Sequence, residues 1–300
     1  MEDTYIMNMK RLIALALALV LSLALAACGG SGAAPSPSAS APAESSAAPA
    51  ESAPAESASA ESDLDYVKGK GALVIGYTVY APMNYTDDNG EFTGFDTELA
   101  KAVCEKLGVE PQFQEIVWET KEIELAGKTI DCIWNGMTLD PEREANMACT
   151  VPYVKNAQVV VMKADADYAD TSSLIGKSVC AEVGSAGETQ ILGNEEAKPD
   201  ANLAQADYVG KSVQTDCLME VAAGTCDAAV LDMTLANAMI GEGTDYAGLK
   251  IVDELAVENY GVAFRQGSDV RDAVNEIFAE LVADGSLGAL ADKYGLELAD

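Results

Sequence analysis

The chain has 300 residues, 49 of them acidic and 18 basic, and a formal net charge of −31. That balance argues against nucleic acid or an anionic lipid surface as a partner; it serves solubility and names no ligand. With no histidine and no Cys-x-x-Cys pair, neither a metal site nor a cofactor is expected.

The first element in chain order is an apolar run over residues 12–27, interrupted only by Ser22 and preceded by Lys10 and Arg11. It is short for a membrane span, which needs about 20 residues. Its length suits the core of a secretory signal. Leu25-Ala26-Ala27-Cys28 closes the run and Gly29-Gly30 follows. This resembles a bacterial lipoprotein leader with its lipobox. The resemblance implies that residues 1–27 are removed and that Cys28 becomes the N-terminus. Its thiol then carries the palmitate-bearing lipid, outside the cytoplasm and anchored to the cell membrane. The alternative is an uncleaved signal anchor in which Cys28 is incidental. Met1-Glu2-Asp3 puts acid where such a leader needs positive charge, so Met7 or Met9 is the better start.

Residues 28–62 are almost entirely Ala, Ser, Pro, Gly and Glu, and Ala-Pro-Ala-Glu-Ser recurs at 41–45, 48–52 and 53–57. Nothing there builds a core, so a disordered tether is expected, stiffened by proline and extended by repelling glutamates. From residue 63 onward the composition is that of a globular chain.

There, short apolar runs alternate with helical patterns. Strands are predicted over 72–76, 112–117, 130–134, 158–162, 178–183, 227–231, 250–252 and 260–264. Helices are predicted over 97–107, 121–125, 212–223, 270–283 and 287–294, with another opening at Ser185. This order implies parallel β-α-β units: two α/β units, each with its own mostly parallel sheet.

Four stretches carry chemistry. After Trp134, where the third strand is predicted to end, Asn135, Gly136 and Thr138 offer polar side chains and open backbone. Asp140-Pro141 reads as an N-cap and first helical position, which places Arg143 in the first turn. Crevices beyond strand ends are where open α/β sheets bind ligands, and an arginine fork matches a carboxylate. Alone, such an arginine pairs with Glu142 or Glu144 on the surface. Ser185 and Ala186 open a helix whose free N–H groups attract an anion; alone, Ser185 is a plain cap. Asp232 ends an apolar strand and suits an ammonium group, or else caps the helix starting near Thr234. Tyr80 and Trp118 suit apolar walls with polar edges, or ordinary loop packing. Together these make a receptor for a zwitterion.

Tyr80-Ala-Pro-Met83, Gly90-Glu-Phe-Thr-Gly-Phe-Asp-Thr-Glu-Leu-Ala100, Gly136-Met-Thr-Leu-Asp-Pro-Glu-Arg143, Val151-Pro-Tyr153, Gly224-Thr-Cys-Asp-Ala-Ala-Val230, Asp284-Gly-Ser-Leu-Gly288 and Lys293-Tyr294-Gly295 follow one another in the order of a known family. The chain resembles the polar amino-acid binding proteins of ABC importers, solute-binding family 3. The resemblance implies a two-lobed fold of the periplasmic-binding-protein type with two hinge crossings. The lobes would be residues 63–155 with 255–300, and 156–254. It implies that Arg143 holds the α-carboxylate with Thr138 and the backbone near Gly136. Ser185 and Ala186 would give N–H groups to that carboxylate, Asp232 would take the α-ammonium, Tyr80 and Trp118 would flank the side chain, and Asn135 would reach it. Ala186 stands where the family often has threonine, so its contact is backbone only. Cys149 stands where an aromatic is usual, as a packing residue.

The expected function is delivery of a free amino acid, with a polar side chain favoured, to an ABC permease and its ATPase by a monomeric, non-enzymatic receptor. The alternatives are a sensory or adhesive lipoprotein, or a cyclohexadienyl-dehydratase-like enzyme using Glu182 or Glu119. Cys104, Cys132, Cys149, Cys180, Cys217 and Cys226 lack the spacing of a disulfide framework, and most are expected to be buried and reduced.

Overall fold

In the computed structural model of the chain the described residues are 62–300. The leader, Cys28 and all of the tether but Ser62 lie outside them. After α1 (Asp63–Lys70) the chain forms β1 (Ala72–Tyr77), the small hairpin β2 (Tyr85–Thr86) and β3 (Phe92–Thr93), then α2 (Phe95–Leu107) and β4 (Glu110–Glu115). Then come α3 (Lys121–Ala126), β5 (Cys132–Thr138), α4 (Pro141–Asn146), β6 (Ala148–Cys149) and the long β7 (Val154–Lys163). The chain continues through β8 (Ser178–Glu182), α5 (Ala186–Leu192), β9 (Asp207–Lys211), α6 (Gln214–Ala223), β10 (Ala228–Asp232) and α7 (Met233–Met239). It closes with β11 (Leu249–Phe264), α8 (Val270–Ala283) and α9 (Ser286–Tyr294).

The strands pair in the order β4-β1-β5-β11-β7-β10-β8-β9, with β6 on β11. β4, β1 and β5 run parallel, as do β10, β8 and β9. Between these halves β7 and β11 pair antiparallel from Leu249↔Lys163 to Tyr260↔Val154. The expectation of a separate sheet in each unit is therefore corrected. Because both crossing strands keep their ladder through the junction, the halves share one sheet. The pieces predicted at 250–252 and 260–264 are one 16-residue strand. Its register shifts twice, at Ile251/Asp253 and Glu254/Ala256.

The strand predicted at 130–134 also runs on to Thr138, and every residue of it is buried. Asn135, Gly136 and Thr138 thus lie within β5 rather than beyond it. The pairing Thr138↔Tyr260 with β11 holds them there.

α2 turns Leu99, Ala100, Val103 and Cys104 into the core at helical spacing. Its start is held by the preceding loop: Pro82 O accepts from Phe95 N and Met83 O from Asp96 N. These are first-turn donors with no partner inside the helix. That close approach requires glycine at 94. With φ at 126°, a Cβ there would stand 2.1 Å from Met83 O.

The C-terminal helices lie on the β4-β1-β5 half. Phe278 meets Trp134 at 5.8 Å between ring centroids and Tyr294 meets Phe95 at 6.3 Å. All six cysteines among the described residues are unpaired, five buried and Cys149 half-buried. Burial pushes the Cys104 thiol up to about 12, so it behaves as a small apolar group.

Candidate functional site

β5, β8 and β10 end at one place, and the two halves of the sheet face each other across it. A narrow cavity there is lined by Trp118, Asn135, Gly136, Thr138, Arg143, Glu182, Ser185, Ala186, Gln214 and Asp232. The structure therefore brings together eight of the nine residues singled out from the sequence. Tyr80 is the exception. It is buried in the core, its hydroxyl paired with that of Tyr260, and its ring lies behind Gly136. A Cβ on Gly136 would come within 2.7 Å of that ring. Tyr80 supports the floor of the cavity and is not a wall of it.

Arg143 is placed by α4. Asp140 caps this helix by accepting from Arg143 N at 2.9 Å, and Pro141 takes the first helical position. Arg143 is only 6% exposed. Its Nη1 donates to Thr138 O at 2.9 Å, its Nη2 donates to Gly184 O at 3.1 Å, and its Nε faces Asp140 at 3.3 Å. Neither Glu142 nor Glu144 pairs with it. A guanidinium has five N–H donors, so donors remain for a carboxylate. The Gly184 contact spans the two halves, as does Lys121 Nζ to Gly184 O at 3.0 Å.

Asp232 occupies the N-cap position of α7 but makes no capping bond. Asn156 does that work instead, its Oδ1 accepting from Thr234 N and Oγ1. The Asp232 carboxylate is thereby free to accept from Asn156 Nδ2 at 2.8 Å, Gln158 Nε2 at 2.5 Å and Gln214 Nε2. An ionised carboxylate offers about four acceptor sites, so one remains on the Gln214 side. Glu258 Oε1 joins the network, accepting from Thr138 Oγ1, Asn156 and Gln158 at 2.7–2.9 Å. The hydrogen-bonded line runs from β5 through both crossing strands to β10.

Two backbone assignments need correction. The Gly136 N–H is committed to Asp96 Oδ2 at 2.7 Å, so that backbone group does not reach the cavity. The Ser185 N–H donates to Glu182 O at 3.2 Å. Ser185 caps the helix, its Oγ accepting from Glu188 N, while the Glu188 carboxylate accepts from Gly184 N one residue before the cap. Ala186 is the first residue of α5 and keeps a first-turn N–H. Asn135 is held by Thr78 and Asn84 at 2.7 and 2.8 Å. Trp118 is buried, with Lys121 Nζ 4.8 Å from its ring centroid.

The sequence reading missed Gln214, Asn156, Gln158, Glu258 and Lys121, and gave Glu182 only an enzymatic role. The available signal was two uncharged polar residues, Asn156 and Gln158, at the head of the apolar run 159–162. Burial pushes the Asp96 and Glu258 carboxyls up to about 7 and Glu182 to about 8. Burial raises Asp232 as well, and it pushes the Lys121 ammonium down to about 8, with Arg143 adding to the effect. These folded acids hold protons that the unfolded chain has released above pH ~4. The stability that these acids contribute is accordingly full below that pH and lost as pH rises through about 7–8. Urea unfolding should give a lower free energy at pH 8 than at pH 5. Asp96→Asn should flatten part of that fall, at about 1.4 kcal/mol per pKa unit.

Two half-sheets joined by two crossing strands, with a charged cavity where their strand ends meet, define a two-lobed ligand-binding protein. The sequence profile of the bacterial extracellular solute-binding proteins, family 3, matches residues 73–297. The chain belongs to this family. It is 28% identical over 228 residues to the arginine-binding extracellular protein ArtP of Bacillus subtilis, covering 75% of this chain and 87% of that one. It is 30% identical over 223 residues to the histidine-binding periplasmic protein of Escherichia coli, covering 72% and 84%. A crystal structure of a mutant ArgBP from T. maritima superposes with a TM-score of 0.70 at 30% identity, covering 77% of this chain and 98% of that one.

Proposed function

We propose that this chain is an extracytoplasmic receptor that binds a free amino acid between two closing lobes and delivers it to an ABC importer. The observation that carries this reading is a pair of buried, opposite charges lining one cavity. Arg143 comes from the β5 half and Asp232 from the β10 half. An α-carboxylate takes the remaining guanidinium donors and Ala186 N–H, and an α-ammonium takes the fourth acceptor site of Asp232. Trp118 and Asn135 face the side chain. The arginine- and histidine-binding relatives support this reading.

The lobes are residues 63–155 with 255–300, and 156–254, hinged where β7 and β11 cross. The ligand favours closure only as far as it binds the closed form better. Cys28 carries the lipid, and the tether keeps the lobes near a permease. No helix among the described residues is long and apolar enough to cross a membrane.

The test is a thermal-shift screen of the mature protein against the standard amino acids and cystine. A ligand present at 100 times its Kd adds about 2.7 kcal/mol and raises the melting temperature. At least one amino acid should do so. A flat response across the panel ends the proposal.

A further inference from the structure

We propose that Glu182 selects the ligand's side chain, and that the ligand is an amino acid whose side chain carries a cationic hydrogen-bond donor. This rests on the amino-acid reading above and deepens it.

Glu182 ends β8 and Asp232 ends β10; the two strands are parallel neighbours, with the register Ala229↔Cys180 setting the two acids one residue out of step, and both line the cavity. Adjacent strands lie about 4.8 Å apart, so the second acid stands one strand from the ammonium acceptor. Glu182 lines the cavity and is 3% exposed, and its Oε1 has no hydrogen-bond partner among the described residues. A buried carboxylate oxygen without a donor is costly.

The charged groups around Glu182 do not satisfy it. Lys121 is a neighbouring cation, but two of its three N–H donors go to Trp118 O at 3.3 Å and Gly184 O at 3.0 Å, it makes no ion pair with Glu182, and it is not part of the lining. Arg143 and Asp232 are consumed by the ends of a zwitterion, and Gln214, which also stands beside Glu182, donates its amide to Asp232. Once those ends are paired, the cavity retains one acid and an unfilled acceptor. A guanidinium or ammonium on the ligand supplies both the charge and the donor. An apolar side chain leaves the acid unpaired, and an acidic one adds a like charge. Burial holds the free carboxyl up at about 8, and a cation beside it brings the charged form back.

The experiment is calorimetric titration of the mature full-length protein with arginine and lysine, and with citrulline and norleucine as neutral near-isosteres. At least one cationic ligand should bind about tenfold or more tighter than its neutral counterpart, the worth of one hydrogen bond to a charged group. In E182Q that ratio should shrink to within about threefold. Equal affinities in the wild type overturn the inference and leave the amino-acid reading standing, as does an unchanged ratio in E182Q. If E182Q fails to fold, the wild-type ratios decide alone. Silence toward every amino acid ends both.

Discussion

Arg143→Ala should weaken amino-acid binding at least about 30-fold, because truncating one partner of a buried charge pair removes roughly 2–5 kcal/mol. Three effects act together. The ligand carboxylate loses its counter-charge in a cavity with little water to replace it. The carbonyls of Thr138 and Gly184 lose their donors. Asp140 loses the cation facing it, though it keeps the backbone N–H that it caps. Because two of these also affect folding, the melting temperature of the ligand-free variant must be recorded beside the calorimetric affinity. Arg143→Lys separates charge from shape. It keeps the cation but cannot hold both carbonyls and a carboxylate from one planar fork, so its affinity should fall between those of the other two proteins. Wild-type affinity in Arg143→Ala would remove the arginine from the site.

Asp232→Asn should weaken binding by a similar factor while leaving the ligand-free fold at least as stable at pH 8. The substitution keeps size and one acceptor oxygen but removes the charge that an ammonium needs. It also sets an amide among the donors of Asn156, Gln158 and Gln214. Burial already disfavours the ionised acid, so neutralising it relieves the folded state. Affinity down with stability unchanged or up is the signature of a ligand contact. A parallel loss of both would show that Asp232 serves the network and not the ligand.

The residues legible in the sequence were those whose place follows from neighbours in the chain. Arg143 follows from Asp140-Pro141, Ser185 from its glycine-flanked turn, and Asp232 from the apolar run that it ends. What escaped depends on distant partners. Glu258 matters because Gln158, 100 residues away, donates to it. Tyr80 looked like a ligand wall until Tyr260, 180 residues away, claimed its hydroxyl. The polar run Asp253-Glu254 broke the apolar pattern of β11, so one strand read as two. Pairing with β7 on one side keeps that stretch in the ladder despite its composition. Gln214 gave no local sign at all, since an amide opening a helix is ordinary.

The crossing strands also fix the order in which the protein can be completed. The β10-β8-β9 half is built from one uninterrupted stretch of chain together with β7. The β4-β1-β5 half begins first and finishes last, because its ladder waits for the end of β11 and its core waits for α8 and α9. Arg265, beyond β11, ties back to Asp63, 202 residues earlier. Contacts of such separation form late. A chain growing from its N-terminus must therefore hold a half-built lobe, the β11-facing edge of β5 unpaired, until the final residues arrive. With a net charge of −31, such unfinished chains repel one another in that interval.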